Sequence, residues 1–332
     1  MQSIGEGIRV DAQPEPEPAP ALETGPREPL IVILGPTASG KTALGIDLAR
    51  QFSGEIISAD SRQIYREMDI GTAKPTPAER AAIPHHLLDL ISPAATFGLA
   101  QYQRAAYAAI SDLHGRDVLP FLVGGTGQYI TAVIEGWGIP EVPPHTPLRT
   151  ELEDFAAEHG ARALHDRLRE LDPAAADRID YRNVRRVVRA LEVCLVTGTP
   201  ITVLQRKQPP PYRILQIGLT MPRETLYQRI DARVDRMIAD GLLDEVRRLL
   251  DAGYSWDLPS MSGVGYAQWK PYIEGIAPLD DVITTIKNDT HAFARRQYTW
   301  FNGHDTGLRW FDITQIDAIS GLVHEWLTAG KE

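Results

Sequence analysis

The stretch that most narrows what this chain can become is GPTASGKT at 35–42. It fits G-x-x-x-x-G-K-[ST], with Gly35, Gly40, Lys41 and Thr42 in the required places and Pro36, Thr37, Ala38 and Ser39 between. An apolar run, 30–34, precedes it, and a helical pattern of Ala43, Leu44, Ile46, Leu48 and Ala49 follows. A strand that feeds a Gly-rich turn and then opens a helix aims backbone N–H groups into a phosphate-sized hollow, where the helix dipole favours an anion. Lys41 is then expected to reach the terminal phosphates and the Thr42 hydroxyl to ligate Mg²⁺. A Gly/Ser turn before an ordinary helix is the bland alternative, and both flanks speak against it.

From residue 30 a β/α rhythm sets in. Apolar strand candidates fall at 31–34, 55–58, 87–91, 118–123 and 214–219, with helical patterns such as 99–113 between the earlier ones. This alternation predicts an α/β fold, a P-loop NTPase-like parallel sheet flanked by helices, with ligands beyond the carboxyl ends of the strands. Near Pro140 the rhythm breaks. EVPPHTP opens a stretch of helical periodicity that QRKQPPPY closes, so an inserted all-helical domain is expected over 141–208. The core is then 29–140 plus 209–316, with a long helical region 223–250 broken near Asp240-Gly241, a helix over 279–300, and a C-terminal helix or tail over 317–332.

Net charge is −10, which at first disfavours a nucleic-acid partner. Residues 1–28 hold six acids and two bases around PEPEPAP, so −4 of the total belongs to a segment expected to be a disordered tail rather than a signal peptide. A local basic stripe can still bind a polyanion. In the insertion, Arg182, Arg185, Arg186 and Arg189 are spaced to share one helix face, while Val184, Val187, Val188, Leu191 and Leu195 form a stripe that would bury. Solvated arginines paired with nearby acids remain the alternative, since 141–208 balances eleven acids against eleven bases. The single cysteine, Cys194, excludes a disulfide framework and a Cys-built zinc site and suits a reducing cytoplasm. No apolar run approaches the roughly 20 residues of a membrane span.

Other stretches carry chemistry. Asp60, in SADSRQIY after the second strand, can hold magnesium, act as a general base, or simply cap a helix. GGTGQY at 124–129 lets a ligand approach the backbone and offers the Thr126 hydroxyl; a tight strand-to-helix turn is the plainer reading. FLVGGT lacks the acidic residue that an NTPase usually carries at this strand end, which counts against a motor ATPase or GTPase. Arg229, Arg233 and Arg236 repeat along one face of the later helix, with Arg233 able to touch a phosphate, although such a stripe is by itself more often a solvated face. SGVGYAQW, 262–269, places Tyr266 and Trp269 where either could stack on a base.

GPTASGKT, ADSRQIYREMDIGTAKPT, PHHLLDL, FLVGGTGQYI, RVVRALEV, GVGYAQ and ARRQYTWF follow one another in an order that resembles the tRNA dimethylallyltransferases, over about residues 30–305. The resemblance implies transfer of a dimethylallyl group from dimethylallyl diphosphate to N6 of adenosine 37 of tRNA, beside the anticodon. It implies that the P-loop holds the diphosphate with Mg²⁺ and hydrolyses no nucleotide. Asp60 would be the base at the flipped adenine, Thr126 would touch the same region, and Arg233 would support the diphosphate. The positions that would contact the tRNA anticodon stem-loop are Asp60, Ser61, Arg62, Gln63, Thr126, Arg149, Arg185, Arg186, Val187, Val188 and Arg189, with Ser262, Gly263, Val264, Gly265, Tyr266 and Ala267. The last loop departs from the family pattern, which often has basic residues where Ser262 and Ala267 stand. The zinc finger of eukaryotic relatives has no counterpart. A cytoplasmic monomer is expected; the alternatives are a small-molecule P-loop kinase and an adenine-nucleotide prenyltransferase.

Overall fold

The structure, a computed structural model, describes residues 27–303 and 307–330. All but the end of the expected acidic tail lies outside those residues. The chain begins with β1 (Glu28–Leu34), α1 (Lys41–Gln51), β2 (Gly54–Ala59), α2 (Pro77–Ala82), β3 (His85–His86), α3 (Leu99–Gly115), β4 (Leu119–Gly124) and α4 (Gly127–Glu135). Five helices follow without a strand: α5 (Thr146–His159), α6 (Ala161–Leu171), α7 (Pro173–Arg178), α8 (Val184–Thr197) and α9 (Ile201–Leu204). Then come β5 (Tyr212–Thr220), α10 (Arg223–Ala239), α11 (Leu242–Asp251), α12 (Lys270–Ile273), α13 (Leu279–Gly303), β6 (Arg309–Asp312) and α14 (Ile316–Thr328).

The strands form one sheet in the order β3-β2-β4-β1-β5-β6, every pairing parallel. The period of two in a strand, with both faces covered, explains why β1 is apolar from Leu30 to Leu34. Ile31 and Ile33 pack with α1 and α14 on one face, and Leu30, Val32 and Leu34 pack with α3, α4 and Phe301 on the other. The carboxyl ends of β1, β2 and β4 therefore lie side by side, and the loops that leave them share one edge.

Helices α5–α9 bury their own cluster, including Leu152, Leu164, Leu168, Val187, Val188 and Leu191. A third cluster joins Ile64, Tyr65 and Met68 to α10, α11, α13 and the loop holding Met261, Tyr266 and Trp269. It fixes the segment after β2 against the C-terminal helices. The break between α10 and α11 is at Gly241, whose φ of 95° ends one helix and opens the next.

Several expectations require correction. Residues 87–91 are not a strand: Leu87 and Asp89 have φ of 64° and 55°, and only Ile91 makes a bridge, to Tyr65. The Asp89 carboxylate is instead bound by Lys74 and Arg80. The strand at this edge is the two-residue β3. A sixth strand, β6, extends the opposite edge beside β5. Arg182 lies outside α8, because Asn183 caps that helix by accepting the Arg186 N–H; the four-arginine face does not form. Leu195 is half-exposed rather than buried. Among the described residues no helix is long and apolar enough to cross a membrane.

Candidate active site

The loop 35–42 leaves β1 and enters α1 as the sequence pattern requires. Gly35 has φ 146°, and a Cβ there would lie 2.7 Å from the Leu219 carbonyl oxygen on β5. Gly40 has φ 101° and is the N-cap of α1, where no side chain caps the first-turn N–H groups. Ala38, although not glycine, also has positive φ; it is held by packing on Met221, Leu226, Ile230 and Ala294. The result is a helix N-terminus left open to an anion. Lys41 curls back so that Nζ donates to the Pro36 carbonyl at 2.6 Å. Burial, reinforced by the nearby Arg233 charge and partly offset by Asp60, drives the Lys41 pKa down to about 7. Arg233 reaches the loop from α10, donating to Thr37 Oγ1 at 3.4 Å. Burial and the neighbouring Arg236 and Arg229 lower its pKa in turn. Lys41 and Arg233 thus form a compact cationic pair that Asp60 offsets only in part, and among the described residues neither makes a direct ion pair.

Asp60 stands at the end of β2. No helix follows it, so it is not a helix cap; its Oδ1 accepts the Arg62 N–H at 2.8 Å and closes a turn. Thr126 immediately precedes α4, and its Oγ1 accepts the Ser61 N–H at 3.0 Å and donates to Ser61 Oγ. Thr37, Asp60, Ser61, Thr126 and Arg233 open into a single cavity of about 480 Å³. Ile230, Val234 and Met237 from α10 and Ile286 and Phe293 from α13 supply its apolar wall.

The segment 69–75 owes its conformation to two buried charges that sequence reasoning did not single out. Glu245 of α11 is 1% exposed. It accepts the N–H groups of Asp69, Ile70 and Gly71 and the Tyr266 hydroxyl, at 2.7–3.1 Å. Lys74 Nζ is buried and donates to Tyr65 O, Asp69 and Asp89. Although burial penalises the Asp89 carboxylate, Lys74 and Arg80 hold its pKa below the usual value. Gln63 receives the Ser58 hydroxyl and donates to Thr72 O and Ala73 O, while Arg62 donates to Pro259 O and Ser262 Oγ. Ser262, Val264 and Gly265 border the cavity, and Gly263 lies against Arg62. Ala267 starts a 3₁₀ turn beside them. Trp269 is buried and does not line the cavity, whereas Tyr266, also buried and held through its hydroxyl by Glu245, forms part of the cavity wall.

A second hollow of about 980 Å³ separates α3 and the segment after α4 from helices α5–α9; Arg149 and Arg189 lie on its wall. Both serve the buried Glu192. Arg149 grips it bidentately at 2.8 Å, and Arg189 adds a further contact at 2.5 Å. Burial opposes the Glu192 charge, yet these bonds and the His145 N–H hold its pKa down at about 2. Val187 and Val188 are interior residues of the bundle, so their side chains cannot meet RNA. Arg182 is held by Asp180. Arg185 and Arg186 are exposed, and their guanidinium groups have no ion-pair partner among the described residues.

Residues 63–304 match the family model described as IPP transferase, and residues 29–91 match one described as isopentenyl transferase. The chain belongs to the IPP transferase family. A tRNA dimethylallyltransferase of Roseiflexus sp. (strain RS-1) is 62% identical over 273 residues, which cover 82% of this chain and 90% of the relative. Among solved structures, the full-length tRNA isopentenylpyrophosphate transferase from Bacillus halodurans is 41% identical with a TM-score of 0.69, covering 92% of this chain and 98% of its own. A eukaryotic dimethylallyltransferase acting on tRNA is 27% identical with a TM-score of 0.74, covering 86% of this chain and 74% of its own.

Proposed function

We propose that this chain transfers the dimethylallyl group of dimethylallyl diphosphate to N6 of adenosine 37 in the anticodon stem-loop of tRNA. The observation that carries the reading is the shared cavity: Thr37 and Arg233, on the anion side, face Asp60 and Thr126 across one hollow. An anionic leaving group and a proton-accepting carboxylate are both needed by allylic transfer to an amine, and here they are offered together.

The diphosphate docks on the open N-terminus of α1, as in a P-loop, with Lys41 and Arg233 completing the anion site. Oxygen donors suited to Mg²⁺ are present. The Ser39 Oγ is buried without a partner, and the Thr42 hydroxyl has none among the described residues. Thr42 would hold the ion, which when bound neutralises charge on the leaving diphosphate. The adenine amine, held near Thr126, forms its new N–C bond to the allylic carbon as the C–O bond to diphosphate breaks. The bond pair leaves with the diphosphate oxygen, and the amine proton passes to the Asp60 carboxylate. The apolar wall from α10 and α13 keeps water from the electron-poor allyl group.

An adenine can reach this site only by leaving its stack, which requires the RNA to be gripped elsewhere. We assign that grip to the helical insertion 141–208, with Arg185 and Arg186 at the phosphates. Arg149 and Arg189 shape the hollow, tethered by Glu192. The enzyme is taken to be a cytoplasmic monomer. Family membership does not favour the kinase or free-nucleotide readings, and a free nucleotide would leave the insertion without a task. The test supplies the chain with Mg²⁺, tRNA, and either dimethylallyl diphosphate or ATP. Consumption of the prenyl donor in a tRNA-dependent way is expected; ATP turnover without it would revive the kinase.

A further inference from the structure

Gln297 lies on α13, distant in sequence from both loops of the site, and is 6% exposed. Its amide serves the two loops from its two ends. Oε1 accepts the Thr37 N–H at 2.8 Å, and Nε2 donates to the Gly125 carbonyl at 2.8 Å. Thr37 is in turn the residue that Arg233 touches. On the other side Gly125 leads into Thr126, which holds the Ser61 N–H beside Asp60. One side chain therefore spans the gap between the anion loop and the strand ends that carry the base. The approach is close: a Cβ on Gly125 would fall 2.3 Å from Gln297 Nε2.

We propose that Gln297 is a positioning residue for the transfer reaction. It sets the separation of the diphosphate loop from Thr126 and Asp60, so that the allylic carbon and the adenine amine meet in line. The inference rests on the prenyl-transfer reading above. A neutral amide suits the task because it accepts from an N–H and donates to a C=O at the same time. A carboxylate can do only the first, and an aliphatic side chain neither. Misplacement of reacting groups by about 1 Å costs on the order of 100-fold in rate, whereas binding of each substrate alone has no need of the bridge.

The test uses the full chain, tRNA lacking the modification, Mg²⁺ and dimethylallyl diphosphate, with two variants. Gln297→Leu is expected to lower kcat about 30- to 100-fold. Its KM values for both substrates should stay within about threefold, with a cooperative melt retained. Gln297→Glu keeps the acceptor for Thr37 and regains a donor for Gly125 only when the introduced carboxyl is protonated. Its activity relative to the unsubstituted enzyme at the same pH should therefore rise as pH falls from about 8.5 to 6. A kcat for Gln297→Leu within about threefold of normal overturns the proposal, as does a raised KM with kcat unchanged. A Gln297→Glu ratio that is flat with pH overturns the donor half of the bridge, and this arm decides alone should Gln297→Leu fail to fold. Absence of transfer by the unsubstituted enzyme overturns the underlying reading, a result distinct from loss confined to the variants.

Discussion

Raising the pH should release the diphosphate, and the size of the effect can be worked from the Lys41 environment. In the free protein burial and the Arg233 charge bring the Lys41 pKa to about 7, with Asp60 pulling the other way. A bound diphosphate favours the charged ammonium and so raises that pKa, which means that binding takes up a proton whenever Lys41 starts neutral. With a free-state pKa near 7, roughly nine-tenths of Lys41 is neutral at pH 8 and about 99% at pH 9. Below the free-state value the affinity for dimethylallyl diphosphate should be level. Above it the rise in Kd should approach tenfold per pH unit, amounting to about 50-fold, or about 2.3 kcal/mol of lost binding, between pH 7 and 9. Isothermal titration of the diphosphate into the tRNA-free enzyme at several pH values measures this directly. Repeating the titration at pH 8 in buffers of different ionisation enthalpy should show uptake of about 0.9 proton. Lys41→Met provides the control, with weaker binding and no such slope. A Kd that is constant from pH 6 to 9 in the unsubstituted enzyme, or no proton uptake, would refute the assignment of Lys41 as the titrating contact.

Three further expectations follow from other parts of the molecule. Asp60→Ala should slow transfer by about 10²- to 10⁴-fold while tRNA affinity survives; near-normal turnover would remove Asp60 as the base. Glu245→Ala strands three backbone N–H groups and the Tyr266 hydroxyl. It should cost about 3 kcal/mol of stability in a denaturant melt, against almost nothing for the exposed Asp244→Ala. Arg185→Ala combined with Arg186→Ala should weaken tRNA binding and reduce its logarithmic salt slope by about 1 to 2. An unchanged slope would take these two arginines out of the interface.

The anion loop was legible in the sequence because its conformation is sterically demanding. Gly35 and Gly40 occupy positive φ, and at Gly35 a side chain would collide with Leu219. The central strands were legible too, since a strand covered on both faces must be apolar at every position. Edge strands carry no such requirement. The half-buried RWFD of β6 has no pattern to announce it, and 87–91 looks like a strand although positive φ at Leu87 and Asp89 forbids one. The arginine stripe failed through one boundary: Asn183, by capping α8, leaves Arg182 outside the helix. Glu245, Lys74, Gln297 and Glu192 were hidden for a different reason. A polar residue on an amphipathic helix or in a loop reads as solvated until tertiary packing buries it, and what it binds is another loop's backbone or a distant side chain. Motif spacing and motif order cannot disclose such long-range partners, whereas an acid among apolar residues, as in LLDEVRRLL around Glu245, was a faint signal that helix periodicity could have exposed.

The central claim is that the anion loop and Asp60 together move a dimethylallyl group onto tRNA. Its most direct test is incubation of the purified chain with unmodified tRNA, Mg²⁺ and radiolabelled dimethylallyl diphosphate, followed by digestion to nucleosides and chromatography. Label recovered as N6-(dimethylallyl)adenosine, mapped to position 37 and lost with Asp60→Ala, is the predicted result. Label absent from RNA but present on free AMP or ADP, or no label with ATP consumed instead, would contradict it.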